Sequence, residues 1–141
     1  MLANRMVRLP VPFEAVLWPG RRPLRPPGAA PGGDWSGEGL RLVLLHGPSG
    51  LVPLGDTRFD LALCGHTHGG QIALPGGRPI LTALGRLSRR YNSGVYHLGP
   101  GRHLLVTRGI GCTVVPIRVN APPEVHLVTI TVDEDDRTVG R

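Results

Sequence analysis

Two aliphatic runs constrain the fold of this chain more than any other feature of its sequence. They are "LRLVLLHG", which begins at Leu40, and "FDLALCG", which ends at Gly65. Near-continuous runs of Leu, Val and Ala are typical of parallel strands that are buried on both faces. Each run ends next to a histidine, His46 or His66. Because ligands bind at the carboxyl ends of strands in open α/β sheets, the runs predict both a sheet and the edge that carries its site.

The remaining segments predict a strand-rich α/β protein with few short helices. We expect strands in "NRMVRLPVPFEAVLW", "QIALP" and "EVHLVTITVD", a hairpin from "GVYHLG" and "RHLLVTRG", a helical turn in "PSGLVPLGDTR" and a short helix or irregular segment in "ALGRLSRRY". The chain accordingly divides into a strand region (1–18), a Pro/Gly-rich loop (19–39), a main region (40–132) and a charged tail (133–141).

Composition narrows the class of protein. The 141 residues suit one domain. The net charge is +6, and all 16 residues counted as Lys or Arg are Arg. These Arg side chains are either an anion-attracting surface or ordinary solvated charges. Two cysteines form no disulfide framework, so a reducing compartment is expected. Neither a signal peptide nor an apolar run of about 18 residues is visible, which predicts a cytoplasmic protein or one peripheral to a membrane.

The stretch "LCGHTHGGQ" carries the clearest chemical signal. In extended backbone, side chains two residues apart leave on the same side, so the imidazoles of His66 and His68 are expected to converge. The flanking glycines permit a sharp turn with positive φ, and imidazole is the commonest protein ligand for transition metals. A polar loop with hydrogen-bonded histidines is the alternative, but the glycine frame after a buried strand favours a metal site.

A third histidine extends this prediction. If the two aliphatic strands are neighbours, their carboxyl ends bring His46 close to His66. The other histidines, His97, His103 and His126, stand at no ligand spacing in strand-like segments, and we interpret them as structural.

These residues resemble a known family. "LVLLHGPSG" followed by "DLALCGHTHGGQIALP" is similar to the C-terminal half of the calcineurin-like metallophosphoesterases. The later "RLSRRYNSGVYHL" and "VTRGIGCTVVPIRVNAPPEVHLVTI" resemble one bacterial branch, the phosphodiesterases of the YkuE and YaeI type. The resemblance covers residues 40–132 and implies the C-terminal half of an α-β-β-α sandwich. It also implies a hydrolase that cleaves phosphodiesters with two divalent metal ions, such as Mn, Fe or Zn.

By family position, His46 and His66 would bind one metal and His68 the other. Arg108, Arg89 and Arg90 would be candidates to hold the phosphate of a small phosphoester or phospholipid-type substrate, although solvated surface Arg is an equally good interpretation. No aromatic platform accompanies the Arg residues, so no specific binding of nucleic acid is expected.

The family's carboxylate motifs are not in these 141 residues. Neither an Asp-x-His nor an Asn-His occurs, and "GDTRFD" has the wrong spacing and position for the family's Gly-Asp-x-x-Asp. We therefore expect a truncated, weakly active or inactive form that holds one metal, most plausibly Zn. The alternatives are a non-catalytic metal- or anion-binding module, or a half-enzyme that needs a separate N-terminal partner. A half-fold would also expose an apolar sheet face and self-associate.

Overall fold

The computed structural model describes residues 5–8, 13–18, 39–80 and 85–131. The predicted Pro/Gly-rich loop, apart from its last residue, and the charged tail lie outside these residues. Within the described ranges, no helix is both long enough and apolar enough to span a bilayer.

One sheet organises the described part of the chain. Its strands are β1 (Arg5–Arg8), β2 (Phe13–Trp18), β3 (Leu40–Leu45), β4 (Leu61–Cys64), β5 (Gly94–Gly99) and β6 (Arg102–Val106). Their order across the sheet is β1-β2-β3-β4-β6-β5. The four central strands are parallel, and β1 and β5 pair antiparallel at the two edges. The strand-rich α/β class predicted from the sequence is confirmed.

Short helices connect these strands. They are α1 (Leu51–Leu54), α2 (Gly85–Arg90) and two single 3-10 turns, at Pro48–Gly50 and His68–Gly70. The helical turn after β3, the short helix in "ALGRLSRRY" and the β5–β6 hairpin all match the sequence predictions. Proline and glycine keep the elements between β3 and β4 short, because proline at the start of a turn presets φ and glycine ends it.

The hydrophobic core lies on one face of the sheet. Alternate side chains of the strands point into it, and Phe59 packs beside them with no exposed surface. Leu54 of α1, with Leu51 and Tyr91, covers this face. The buried set is Val43, Leu45, Leu54, Phe59, Ala62, Cys64, Leu104 and Val106.

The opposite face is less covered, which corrects the prediction that the central strands are buried on both faces. In β3 and β4 buried side chains alternate with half-buried ones. The half-buried side chains are aliphatic, and they include Leu42 and Leu44 on β3, Leu61 and Leu63 on β4 and Leu105 on β6. The described helices that contribute to the core pack on the core face of the sheet and not on this one. A run of aliphatic residues therefore does not by itself show that a strand is buried on both faces.

Two predicted strands are not regular strands. "QIALP" forms only isolated bridges, from Ile72 to Val119 and from Ala73 to Pro79. Residues 121–131 have no strand structure, and the side chains of Val125 and Leu127 are 82% and 95% exposed. The alternating pattern specifies a face only when a neighbouring strand supplies hydrogen bonds, and none of the described strands pairs with this segment.

Candidate metal centre

Two of the three predicted ligands meet at the carboxyl ends of β3 and β4. The parallel register pairs Leu45 with Cys64, so the two strands end level with each other. His46 follows the first strand directly and His66 comes two residues after the second. Their ring centroids lie 3.9 Å apart at an interplanar angle of 39°. The predicted meeting of His46 and His66 is confirmed, and it follows from strand order alone.

Gly47 makes room for this pair. A Cβ at this position would lie 3.3 Å from Cδ2 of His66 and 3.6 Å from the carbonyl oxygen of Gly65. The first distance is tighter than ordinary van der Waals contact, so a side chain here would push the His66 ring aside. The glycine after His46 therefore serves the site, because it lets the backbone approach the second imidazole closely.

The histidine motif does not have the extended backbone on which the predicted convergence of His66 and His68 rested. Positive φ values occur at His66 (70°), His68 (53°) and Gln71 (57°) as well as at Gly69 and Gly70. Left-handed backbone costs a non-glycine residue about 1–2 kcal/mol. Such strain persists only where the surrounding structure enforces it, and it concentrates at functional sites.

Thr67 anchors the motif to the interior. Its side chain is buried, and its hydroxyl donates a 2.7 Å hydrogen bond to the carbonyl oxygen of Asn92. The same oxygen accepts from the N–H of Gly69 at 3.4 Å and caps the 3-10 turn that follows. The residue between the two histidines is thus buried and fixes the turn, whereas both histidines are half-buried.

His68 lies in a different environment from the other two histidines. Its Nδ1 is 3.0 Å from the carbonyl oxygen of Gly111, and its Nε2 is 2.9 Å from the hydroxyl of Thr113. Both ring nitrogens are therefore engaged by the segment after β6. Among the described residues, no three His, Cys, Asp or Glu side chains come close enough together to hold a metal ion. His46 and His66 are a pair, and His68 is held apart by the C-terminal segment.

Gln71 and Arg118 fasten that segment to the motif. The amide of Gln71 donates to the carbonyl oxygens of Thr113 (3.0 Å) and Val115 (2.8 Å), and its oxygen accepts from the N–H of Thr113. The guanidinium of Arg118 donates to the carbonyl oxygens of His68, Gly111, Arg108 and Ala121. A planar cation with five donors suits such a convergence of carbonyls.

Arg108, predicted to bind phosphate, is paired within the chain. Its backbone N–H and its Nε each donate a 2.8 Å hydrogen bond to the carboxylate of Glu124. His126 lies 3.1 Å from the same carboxylate. Burial acts to raise the pKa of Glu124, but the hydrogen bonds from Arg108 and His126 outweigh it and lower the pKa to about 2. Glu124 is therefore an anion that neutralises Arg108 throughout the physiological range.

Gly69 is required by the same contact. A Cβ at Gly69 would lie 2.6 Å from both Cγ and Cδ of Arg108, and the residue has a φ of 63°. The aliphatic stem of Arg108 crosses the motif where only a glycine leaves space for it.

The remaining sequence candidates lie on α2, which packs against the 3-10 turn that follows His46. Arg89 and Arg90 are exposed on the last turn of α2, and the guanidinium carbon of Arg90 is 5.2 Å from the centroid of the Tyr91 ring. Cys64 belongs to the hydrophobic core, and burial raises the pKa of its thiol to about 12. Sequence reasoning missed the roles of Gln71, Thr113, Arg118 and Glu124. Only Gln71, inside the quoted motif, carried a positional signal.

Two imidazoles meet at the carboxyl ends of neighbouring parallel strands, the edge of an open α/β sheet where ligands bind. The sequence comparisons then supply the relatives. The chain is 39% identical over 89 residues to "Uncharacterized metallophosphoesterase YkuE" of Bacillus subtilis, which is 63% of this chain and 30% of that protein. It is 40% identical over 91 residues to "Phosphodiesterase YaeI" of Escherichia coli, which is 64% of this chain and 32% of that protein.

A third relative, a metallophosphoesterase of Aquifex aeolicus, is 41% identical over 71 residues, half of this chain. The chain is thus a homologue of bacterial metallophosphoesterases over most of its length, as its motifs suggested. It spans about a third of the length of the curated relatives that it matches. No family model and no solved structure matches it.

Proposed function

We propose that this chain carries the histidine part of a metal-dependent phosphoesterase site, with His46, His66 and His68 as ligands. The observation that carries the proposal is the contact between the His46 and His66 rings, 3.9 Å apart at the ends of two parallel strands. Homologues named metallophosphoesterase support the family-level activity. A bound divalent cation would supply Lewis acidity toward a phosphoryl oxygen and an activated water.

The donor set fits one borderline cation better than two. Imidazole nitrogens suit Zn²⁺ and similar ions, whereas a dinuclear site also needs carboxylates to neutralise the charge. His46 is exposed and next to His66, so both rings can reach a common ion from solvent. His68 would first have to exchange its hydrogen bonds with Gly111 and Thr113 for a metal bond.

Within the proposal, the residues around the motif position its ligands. Thr67 holds the turn from inside, and Arg118 holds the carbonyl of His68 from outside. Because Arg108 is paired with Glu124, we assign it a role in supporting the motif rather than in binding phosphate. Arg89 and Arg90 remain the exposed candidates for an anionic phosphoester or phospholipid-type substrate.

The test is metal retention by matched variants. Purified chain should retain Zn²⁺ after equilibrium dialysis, and His46→Ala, His66→Asn and His68→Asn should each lower the retained amount, while His126→Ala should not. Asn is chosen at the two motif positions because it tolerates left-handed backbone. Unchanged Zn²⁺ in all three variants would refute the ligand assignment.

A second measurement addresses catalysis by the chain alone. Among the described residues, no carboxylate completes a metal-holding group with these imidazoles. Residues 1–141 should therefore hydrolyse bis(p-nitrophenyl) phosphate with Mn²⁺ or Zn²⁺ barely above the metal-only rate. Robust hydrolysis that is lost in His66→Asn would show that residues 1–141 already form a complete site. Absence of hydrolysis together with tight metal binding would favour the alternative, a binding module.

The open sheet face bears on the proposed partners. Its half-buried leucines on β3, β4 and β6 would be covered in a self-associated form or by a separate N-terminal partner. Light scattering over a range of protein concentrations tests the first arrangement. A monomer at every concentration would leave only the second.

A further inference from the structure

Two histidines outside the metal centre meet on the β5–β6 hairpin. His97 and His103 are directly opposite each other in the antiparallel register. Their ring centroids lie 4.7 Å apart at an interplanar angle of 71°. Their spacing in the sequence matches no metal-ligand pattern, which predicts structural roles, but the hairpin makes the two histidines neighbours. Cross-strand partners on one face have Cβ atoms about 4.5–5.5 Å apart.

The pair lies on the open face of the sheet. Leu104, next to His103, is fully buried in the core, and side chains alternate along a strand. His103 and its partner therefore point to the opposite side, where His97 is exposed and His103 is half-buried. Solvent and solutes reach this side of the hairpin directly.

No other group in the described residues occupies the two rings. His68 and His126 each contact hydrogen-bonding partners, whereas the described residues give His97 and His103 only their contact with each other. The registered neighbours on the same face, Leu61 and Leu105, are aliphatic. The ring nitrogens are thus available. Asp60 accepts from the backbone N–H of His103 through its carbonyl oxygen, but its carboxylate accepts from the backbone N–H of Arg41.

The type of ligand atom in two adjacent imidazoles determines which metal ions they can bind. A first-row cation binds imidazole nitrogen at about 2.0–2.1 Å, so two nitrogens on one ion lie roughly 3.4 Å apart or less. The centroids of the two rings lie 4.7 Å apart, and a ring nitrogen stands about 1 Å from its centroid, so one ion can bridge the two rings. Imidazole suits Cu²⁺, Ni²⁺ and Zn²⁺, while Mg²⁺ and Ca²⁺ require oxygen ligands.

We propose that His97 and His103 form a two-histidine surface site for Cu²⁺, Ni²⁺ or Zn²⁺, separate from the centre at His46, His66 and His68. Two protein ligands leave the other coordination positions to water. The site is therefore exchangeable and open to a further ligand from solution. It is independent of the proposed phosphoesterase function, because it uses different residues on a different edge of the sheet.

The test uses Ni²⁺ as the probe and the full 141-residue chain. Side-chain NMR spectra of the histidine rings, recorded during a Ni²⁺ titration, should show paramagnetic broadening of the His97 and His103 resonances together. His97→Ala should weaken the Ni²⁺ affinity of this site by about 10²-fold, since one ring alone loses the second attachment point. His126→Ala, an exposed histidine of another segment, serves as the matched control and should leave the broadening unchanged.

His103 is half-buried, so His103→Gln is used beside His97→Ala and far-UV circular dichroism verifies that both variants fold. Broadening confined to other histidines, or equal Ni²⁺ affinity in His97→Ala and the parent, would overturn the proposal. Excess Mg²⁺ should not restore the signals, and restoration by Mg²⁺ would also count against it. Each ring reports separately, so failure at the metal centre and failure here are distinguishable.

Discussion

The central sheet and the segment that follows it (107–131) are held in place by different forces. In the sheet, aliphatic side chains such as Val43 and Leu104 are completely buried. In the later segment most apolar side chains are exposed, and Val114 is 98% exposed. Hydrogen bonds to the histidine motif hold this segment instead, and the ion pair between Arg108 and Glu124 links its two ends.

The ligands of the candidate site are divided between the sheet and the segment 107–131. His46 and His66 are placed by the sheet, because they come one and two residues after strands that end level with each other. His68 is placed by the segment, through Gly111, Thr113 and Arg118. The free energy of hydrophobic burial scales with the apolar area buried and depends little on the exact geometry of each contact. The stability of a polar network depends on every hydrogen-bonding partner being in place. The two parts of the site should therefore respond differently to substitution, and the following predictions separate them.

The largest effect is expected in the sheet region. Phe59 has no exposed surface and contacts the core strands, with the Arg102 guanidinium carbon 4.4 Å from its ring centroid. Phe59→Ala should lower the free energy of unfolding by about 3–5 kcal/mol. Urea denaturation followed by circular dichroism measures it. Leu127→Ala, at a 95% exposed position, should change stability by less than about 0.5 kcal/mol; a similar loss in both variants would contradict the contrast.

The next effect is expected where the two regions touch. Gly69→Ala places a methyl group 2.6 Å from the Arg108 stem at a φ of 63°, whereas Gly76→Ala meets no atom within 4 Å at a φ of 88°. Both substitutions should cost about 1–2 kcal/mol of backbone strain. Only Gly69→Ala should cost more than that, and it should also displace Arg108.

The informative quantity is the loss of stability in Gly69→Ala beyond that in Gly76→Ala. Unfolding free energies of the two variants measure it, and the chemical shift of the Arg108 Nε–H reports the displacement. Equal costs for the two glycines would mean that the Arg108 stem can move aside freely.

A smaller and more local effect is expected at Arg118. Arg118→Ala removes the donor shared by four carbonyl oxygens, at about 1.5–3 kcal/mol for hydrogen bonds to a charged group. Amide hydrogen exchange should speed up at Thr113 and Val119 but not in β3 or β4. Arg118→Lys should retain part of the protection. Uniform loss of protection across the sheet would show that the two regions unfold as one unit.

The smallest effect is expected from acid. The pKa of Glu124 falls from 4.5 to about 2 on folding, so its contribution to stability is complete above about pH 4.5 and is lost as the pH falls toward 2. For a partly solvated pair we expect about 1 kcal/mol. The pH dependence of the Thr113 amide exchange measures it. Glu124→Gln should remove this dependence, and a Gln variant with the same acid profile would assign it to another group.

The same contrast explains how much could be predicted from sequence. The strands β3 and β4, their shared edge and the approach of His46 to His66 followed from aliphatic runs and strand order. The long-range polar contacts of Gln71 and Arg118 did not, because no periodicity marks a side chain that binds carbonyls more than 40 residues away. The positive φ values at both motif histidines also escaped prediction, since glycine was assumed to carry all of the left-handed backbone.

Two failures have one physical cause. The aliphatic strands were expected to be buried on both faces, and the alternating "EVHLVTITVD" was expected to pair as a strand. Both expectations presuppose a neighbour that covers a face or completes a ladder. A sequence pattern shows which side chains share a face but not what lies opposite.

The contacts of His68 also set the order in which the site can form. They join His68 to residues 43 to 50 positions later in the chain. Closing a loop of that length must follow the local pairing of β3 with β4. During synthesis, the His46–His66 pair can assemble once β4 has left the ribosome, whereas His68 waits for the last quarter of the chain. We therefore expect folding to place the first two imidazoles early and the third in a distinct, slower phase.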